Sequence, residues 1–264
     1  MLEQGGSAPC SEAEQRLIAR AFREGPPVSA SLPTQADYTG QYALSGPAKV
    51  RDARITPIRG DLADIALAGK LFAPHYVVPM ERAVTVTFTP LRKTPHDDAE
   101  MTSELLKGER FMVLDIAGAW AWGFCKHDCY NGYLALDALG DPNGEAPAAS
   151  ASDPVEAALA RVGTAYVWGA RGGAGIDCSG LVQTAFAHAG LALPRDSDQQ
   201  EACGEAVDTP RRGDLVFFPG HVAIATRADE LVHASQGKGA VTVEPLAAVV
   251  ARKGAPTHIR RVLP

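Results

Sequence analysis

The run Gly169-Ala-Arg-Gly-Gly-Ala-Gly-Ile-Asp177-Cys178-Ser179-Gly180-Leu181-Val182 decides the reading of this chain. Its glycines, Gly169, Gly172, Gly173 and Gly175, spell a loop. Beyond it Leu181, Val182, Ala185, Phe186 and Ala189 are spaced to bury one side of a helix, which Gly190 terminates. Cys178 therefore stands at or near a helix N-terminus, where unpaired backbone N–H groups favour negative charge, so its thiol pKa is expected to fall. The same groups can cradle an oxyanion that develops on an attacked carbonyl. A lone cysteine is more often a small buried apolar residue. Here the polar neighbours Asp177 and Ser179 are unusual company for an inert core thiol and favour a nucleophile.

Upstream, Asp153-Pro154 with Glu156 starts a helix that runs to Gly163, with Asp153 as its N-cap. Downstream the pattern turns strand-like over Asp214–Phe218, His221–Thr226, Leu231–Ala234 and Ala240–Val243. Helices first and strands afterwards predict an α+β domain, with helices packed on an antiparallel sheet. His221 and His233 fall on two strands joined by a short turn, and a hairpin brings them together. One imidazole could exchange a proton with Cys178 while the second orients it.

The preceding half has a different period. Val84–Phe88, Arg110–Leu114, Trp120–Phe124 and Gly132–Leu136 alternate as short strands and predict a small β-barrel over residues 82–140. Residues 141–152 read as a linker, and 153–264 as the catalytic domain. Residues 51–81 form a lead-in, with a short helix expected over Asp61–Ala68. Residues 1–50 form an accessory arm with an amphipathic helix over 11–24. Cys125-Lys-His127-Asp-Cys129 offers three ligands from one turn, short of the four of structural zinc, so it reads as a hairpin tip and no metal is expected.

Composition narrows the function classes. The 264 residues are 46% hydrophobic and 21% charged, with a formal net charge of −6 and no concentrated basic stretch. That argues against a nucleic-acid partner, and no apolar run is long enough to cross a bilayer. The five cysteines are an odd number in a long chain, which favours reduced thiols. Met1–Cys10 has neither a basic nor an apolar leader region, so a cytoplasmic location is expected.

Several motifs occur in order: Tyr166-Val-Trp168-Gly169, Asp177-Cys178-Ser179-Gly180-Leu181, Pro194-Arg195-Asp196-Ser197 with Gln200, Gly213-Asp214-Leu-Val-Phe-Phe218, Gly220-His221-Val222 and Val232-His233-Ala234. Together they resemble the NlpC-type cysteine peptidases, papain-like hydrolases of murein peptides. The resemblance implies Cys178 as nucleophile, His221 as general base and acid, His233 as the orienting residue, and Tyr166 near the oxyanion. One departure is Ala170, where many relatives carry a second glycine, which narrows the loop.

Pro90-Leu-Arg92, Glu100, Glu104-Leu-Leu-Lys-Gly108-Glu109, Trp120-Ala-Trp122 and Tyr130-Asn-Gly132-Tyr133 resemble a bacterial SH3-type barrel. The barrel is similar to the one that precedes the catalytic domain in murein-recycling γ-D-glutamyl-L-diamino acid endopeptidases. That likeness implies a barrel closing one end of the cleft, so that only peptides with a free N-terminal L-Ala fit. Asp177, Glu100 and Tyr130 would then bind the amine, and Ser179 and Ser197 the peptide backbone or the D-Glu α-carboxylate. No cofactor is implied. Two alternatives remain open: an exported enzyme acting on intact cell wall, and a binding module that has lost activity.

Overall fold

The computed structural model describes residues 51–142 and 153–263. Residues 1–50, with the helix expected over 11–24, and most of the expected linker lie outside the described residues. The compact unit that begins at Ala53 holds all the elements that follow.

β1 (Leu62–Asp64) pairs in parallel with β2 (His75–Val77). Between them Ile65–Leu67 makes a single 3-10 turn, capped by Asp64, whose Oδ1 accepts the Ala66 N–H at 2.9 Å. The helix expected over Asp61–Ala68 is thus replaced by strand and turn. Leu62 is needed elsewhere, in a cluster with Leu114 and Trp122 on the barrel's outer face.

β3 (Met80–Val84), β4 (Phe88–Arg92), β5 (Met101–Leu106), β6 (Arg110–Ala117), β7 (Trp120–Cys125), β8 (Asn131–Ala135) and β9 (Leu139–Gly140) form one antiparallel sheet, in the order β5-β4-β8-β7-β6-β3-β9. The strand expected over Val84–Phe88 is broken: Val84 ends β3, Phe88 begins β4, and residues 85–87 turn between them. Thr85 N–H donates to the Ala138 carbonyl at 2.9 Å and the Thr87 carbonyl accepts from Lys107 N–H at 3.0 Å. These long-range bonds override the local alternation. Leu91, Leu105, Phe111, Ala121 and Leu134 fill the interior, with Tyr130 among them and Ile55 of the lead-in packed against them. Along β7 Ala121 points in and Trp122 points out, as a period of two requires. The Arg59 guanidinium lies 4.9 Å from the Trp122 ring centre, close enough for a cation–π contact. The lead-in is therefore part of the barrel's packing, not a separate segment.

The C-terminal domain opens with α1 (Pro154–Leu159), where Asp153 Oδ1 accepts the Val155 N–H at 2.8 Å. The helix is shorter than expected, although the chain keeps turning to Val162 through bonds to Ala158 and Leu159. α2 (Cys178–His188) and the short α3 (Ser197–Gln200) follow. β10 (Glu205–Ala206), β11 (Leu215–Phe218), β12 (His221–Arg227), β13 (Glu230–Ser235), β14 (Ala240–Pro245) and, after α4 (Leu246–Lys253), β15 (His258–Arg261) build an antiparallel sheet in the order β10-β15-β11-β12-β13-β14. Leu181, Val182, Ala185 and Phe186 of α2 bury against Leu215, Phe217, Val222, Ile224 and Val232. Val216, Phe218, Ala223 and Leu231 point the other way, toward Val249 of α4. Both faces of the central strands are covered, and each buried Leu, Ile or Phe contributes about 1.5–3 kcal/mol.

A buried polar joint fixes barrel to C-terminal domain. The fully buried Glu104 carboxylate of β5 accepts the N–H groups of Arg171, Gly173 and Ala174 at 2.8–2.9 Å. The Arg171 guanidinium in turn donates to the Glu104 carbonyl at 2.8 Å, to Glu109 at 2.7 and 3.0 Å, and to Gln183 of α2. Gly169 has φ +79° and lies so close to β5 that a Cβ there would sit 2.5 Å from the Met101 carbonyl oxygen. The glycine-rich loop is the surface on which the barrel seats.

Candidate active site

Cys178 is the first residue of α2, and Asp177 caps that helix by accepting the Gly180 N–H at 2.7 Å. Gly180 is required one turn in, since a Cβ there would meet the Ala170 carbonyl oxygen at 2.4 Å. The helix start is therefore pressed against the glycine-rich loop, and Cys178 is nearly fully buried between them and β12. Backbone N–H groups of Val222 and Ser179 approach its sulfur. The thiol pKa is nevertheless raised, contrary to the expectation from the helix end. Burial is the largest cause and the Asp177 charge adds to it, outweighing the two amides and Arg195.

His221, the residue before the Val222 whose N–H approaches the sulfur, begins a chain of hydrogen bonds that ends in a residue not anticipated from sequence. His221 opens β12 immediately after the tight Pro219-Gly220 turn, and its Nε2 lies 2.8 Å from Nδ1 of the fully buried His233 on β13. His233 Nε2 lies 3.0 Å from Glu244 Oε2 on β14. Glu244 is held by Arg252 of α4 at 2.6 and 3.0 Å. Burial raises the Glu244 carboxyl, but Arg252 and His233 outweigh it and leave it below its ordinary value. An ionised carboxylate only accepts, so His233 Nε2 carries the proton and, in the neutral ring, Nδ1 is bare. His221 must then donate from Nε2, which leaves its Nδ1 lone pair as the atom able to take a proton from Cys178. Nothing in local sequence marks Glu244; only the register of β13 and β14, with His233 opposite Thr242, brings it near.

Burial pushes His221 down to about 3, helped by His233, Lys253 and Arg252, and burial likewise lowers His233. The resting pair is thus a neutral thiol beside a neutral imidazole. A histidine whose pKa is depressed by folding adds stability that is present above its unfolded value of about 6.5 and is lost as pH falls toward the folded value. The thermal midpoint should drop between about pH 6.5 and about pH 4 by the equivalent of a few kcal/mol. His221→Gln should make that drop shallower, as followed by circular dichroism at a series of pH values; equal slopes would remove the argument.

A cleft of about 230 Å³ runs from Cys178 to the barrel and is lined by Arg54, Glu100, Tyr130, Trp168, Asp196 and Ser197, with Asp177 and Ser179 at its base. Glu100 is half exposed and holds Lys93 at 3.3 Å. The Tyr130 hydroxyl donates to Asp196 Oδ2 at 2.9 Å, across the joint. Tyr166 lies close enough to Cys178 to feel its charge; burial first, and Cys178 second, raise its phenol to about 12. Trp168, to which sequence reading gave no role, stands 60% exposed at the cleft wall.

Two expectations need correction. The Asp177 carboxylate has no oxygen left for an amine: Oδ1 accepts from Gly180, Arg195 and the Ser179 hydroxyl, and Oδ2 from Gly169 N–H at 2.8 Å and Arg195 at 2.6 Å. Ser179 is committed to the same cluster, because its Oγ accepts from Arg195 at 2.9 Å. Asp196, N-cap of α3 and beside Ser197, also lines the cleft and bonds Tyr130 there. The Cys125–Cys129 turn carries Asp128, which accepts the Tyr130 N–H at 3.0 Å and Gln183 Nε2 at 2.8 Å. It orients Tyr130 and grips α2.

A cysteine at the head of a helix, packed on an antiparallel sheet that supplies two linked histidines, has the layout of a papain-like cysteine peptidase domain. Residues 163–258 match the NlpC/P60 family and residues 91–139 match the bacterial dipeptidyl-peptidase SH3 domain, so the chain carries an NlpC/P60 domain behind a bacterial SH3 domain. Over 95 residues it is 40% identical to dipeptidyl-peptidase 6 of Lysinibacillus sphaericus, covering 35% of each protein. Over 110 residues it is 32% identical to the gamma-D-glutamyl-L-lysine dipeptidyl-peptidase of Bacillus cereus, covering 38% of this chain and 33% of that one. The chain spans about a third of the length of these curated relatives. A solved NlpC/P60 family structure from Bacillus cereus is 24% identical, covers 70% of this chain and 63% of the other, and superposes with a TM-score of 0.41.

Proposed function

We propose that this protein hydrolyses the bond between the γ-carboxyl of D-Glu and a following diamino acid, meso-diaminopimelate or Lys, in murein peptides with a free N-terminal L-Ala. The observation that carries the reading is the Tyr130–Asp196 bond, which ends the cleft in an anionic wall a short distance from Cys178. An ammonium suits that wall: Asp196 and Glu100 supply charge, and Tyr130 supplies an oriented hydroxyl. A site that takes an N-terminal amine and cuts a short way along the chain releases a dipeptide, in keeping with the names of the two relatives.

In the reaction Cys178 Sγ attacks the γ-carbonyl carbon as His221 Nδ1 takes the thiol proton. Burial of both groups keeps the proton on sulfur until substrate arrives, so transfer and attack are coupled. The backbone N–H at the start of α2 and Tyr166 face the developing oxyanion. The tetrahedral adduct then expels the diamino acid amine, which takes the proton from His221. Water, deprotonated by His221, attacks the thioester and frees L-Ala-D-Glu with Cys178 again a thiol. His233 and Glu244 hold the His221 ring and stabilise its charge at each protonated stage. Selection for a free amine suits peptides already released from glycan strands, so the setting we infer is cytoplasmic recycling.

Product analysis by mass spectrometry with L-Ala-γ-D-Glu-meso-diaminopimelate and its N-acetylated twin tests this. Cleavage of the free-amine peptide alone, by a factor of at least about 10², is the expected result. Equal cleavage of both would leave a peptidase without amine capture and favour action on intact cell wall. Cleavage of neither would favour a binding module.

A further inference from the structure

The cleft holds one cation that the reaction above leaves without a part. Arg54 belongs to the lead-in, whose backbone is pinned to the barrel beside Tyr130. Asn131 N–H donates to the Arg54 carbonyl at 2.8 Å, and Asn131 Nδ2 donates to the carbonyls of Ala53 and Thr56 at 2.8 and 3.1 Å. From that anchor the guanidinium crosses to the catalytic domain. Its two terminal nitrogens grip Asp198 at 2.9 and 2.7 Å, while Nη1 alone also reaches Asp196 Oδ2 at 2.7 Å. Asp196 Oδ2 is the same atom that accepts from Tyr130. A substrate ammonium at this end of the cleft and Arg54 therefore need one and the same carboxylate.

We infer that Arg54 is a specificity-determining residue: an internal cation that holds the amine subsite until a free-amine substrate binds and then moves onto Asp198. This rests on the amine reading above. The geometry makes the exchange cheap. The bidentate grip on Asp198 survives, and the Nη1 bond to Asp196 is given up to the incoming ammonium. The fork is 36% exposed and Asp198 64%, so room for the movement lies toward solvent.

The resident cation also has a purpose before substrate arrives. Asp196 faces Tyr130 from the barrel, Arg54 from the lead-in and Arg195 from its own loop, with Asp198 adjacent and Glu100 and Asp177 in the same cleft. Burial raises its carboxyl above the ordinary range even with Tyr130, Arg195 and Arg54 opposing. Without Arg54 it would take up a proton more readily, and a protonated carboxyl holds an ammonium poorly.

Steady-state kinetics of Arg54→Gln and Asp198→Asn on the free-amine tripeptide, between about pH 6 and about pH 8.5, test the inference. At the alkaline end Arg54→Gln removes a competitor, and KM should fall roughly two- to fivefold. Toward the acid end that advantage should shrink, because an Asp196 that takes up a proton more readily holds the ammonium less well. Asp198→Asn removes the parking place and should raise KM at every pH. These opposite shifts, larger in KM than in kcat, are the expected signature. A KM within about twofold of wild type for Arg54→Gln throughout would overturn the inference. So would a KM raised equally at all pH for D-Glu peptides and unchanged for D-isoglutamine peptides, which would make Arg54 a ligand of the α-carboxylate. Failure of the amine reading itself is seen separately, in wild type, as equal cleavage of the acetylated peptide.

Discussion

Cys178→Ala is expected to abolish hydrolysis of the γ-glutamyl tripeptide, with kcat/KM lower by on the order of 10⁴-fold or more. His221→Ala should cost a comparable factor, and the double variant little further, because in the proposed reaction nucleophile and base act as one unit. The folded pKa directions add a sharper result. With the Cys178 thiol raised by burial and His221 lowered, the free enzyme carries neither thiolate nor imidazolium at neutral pH. Iodoacetamide should alkylate Cys178 slowly at neutral pH, and the rate should climb through a pKa above the roughly 8.5 of a free thiol. A rate already on its plateau near about pH 6 would show a preformed ion pair and discard the neutral resting state. His233→Ala should leave alkylation by the small reagent nearly intact while lowering kcat, since it removes the ring that keeps His221 Nδ1 toward the sulfur.

Arg195→Met should produce the largest loss of stability. Arg195 is 1% exposed and ties Asp177, Ser179 and, through Nε at 3.1 Å, Ser103 of the barrel into one cluster. Removing it leaves the Asp177 charge buried with only the Gly169 and Gly180 N–H groups and the Ser179 hydroxyl as partners. An uncompensated buried charge costs about 3–5 kcal/mol. In a domain pair of this size that lowers the thermal midpoint by roughly 10 °C or more. The double variant Arg195→Met/Asp177→Asn should recover part of the loss, because the charge that lacked a partner is gone as well. Calorimetry of the four proteins gives the coupling. Strictly additive losses would show that the two side chains do not act as a pair, whatever their distance.

Much of the local layout was legible along the chain. Gly169–Gly175 followed by an apolar helical stripe located Cys178 at a helix start, because loop breakers and a 3.6-residue period are local properties. Alternation located the strands that bear His221 and His233, and the short turn between them implied a hairpin. Local reading failed where distant partners compete with local preference. Val84–Phe88 alternates like a strand but is interrupted by a turn at residues 85–87, held by Ala138 and Lys107. Asp61–Ala68 has helical spacing, yet Leu62 is drawn onto the barrel. The helix end at Cys178 implied a low thiol pKa, and burial, invisible to a motif, reversed the direction.

The sequence by itself therefore determined which residues could do the work: a thiol at a helix start, two imidazoles on neighbouring strands, and a barrel ahead of them. Tertiary structure alone decided how they are used. It assigned Asp177 to Arg195 instead of to a substrate amine, turned Asp196 toward Tyr130, and brought Glu244 to His233 and Arg54 into the cleft. The reason is physical. A carboxylate's role is set by which donors lie within about 3 Å of its oxygens, and those donors come from strands and loops up to 142 positions away along the chain.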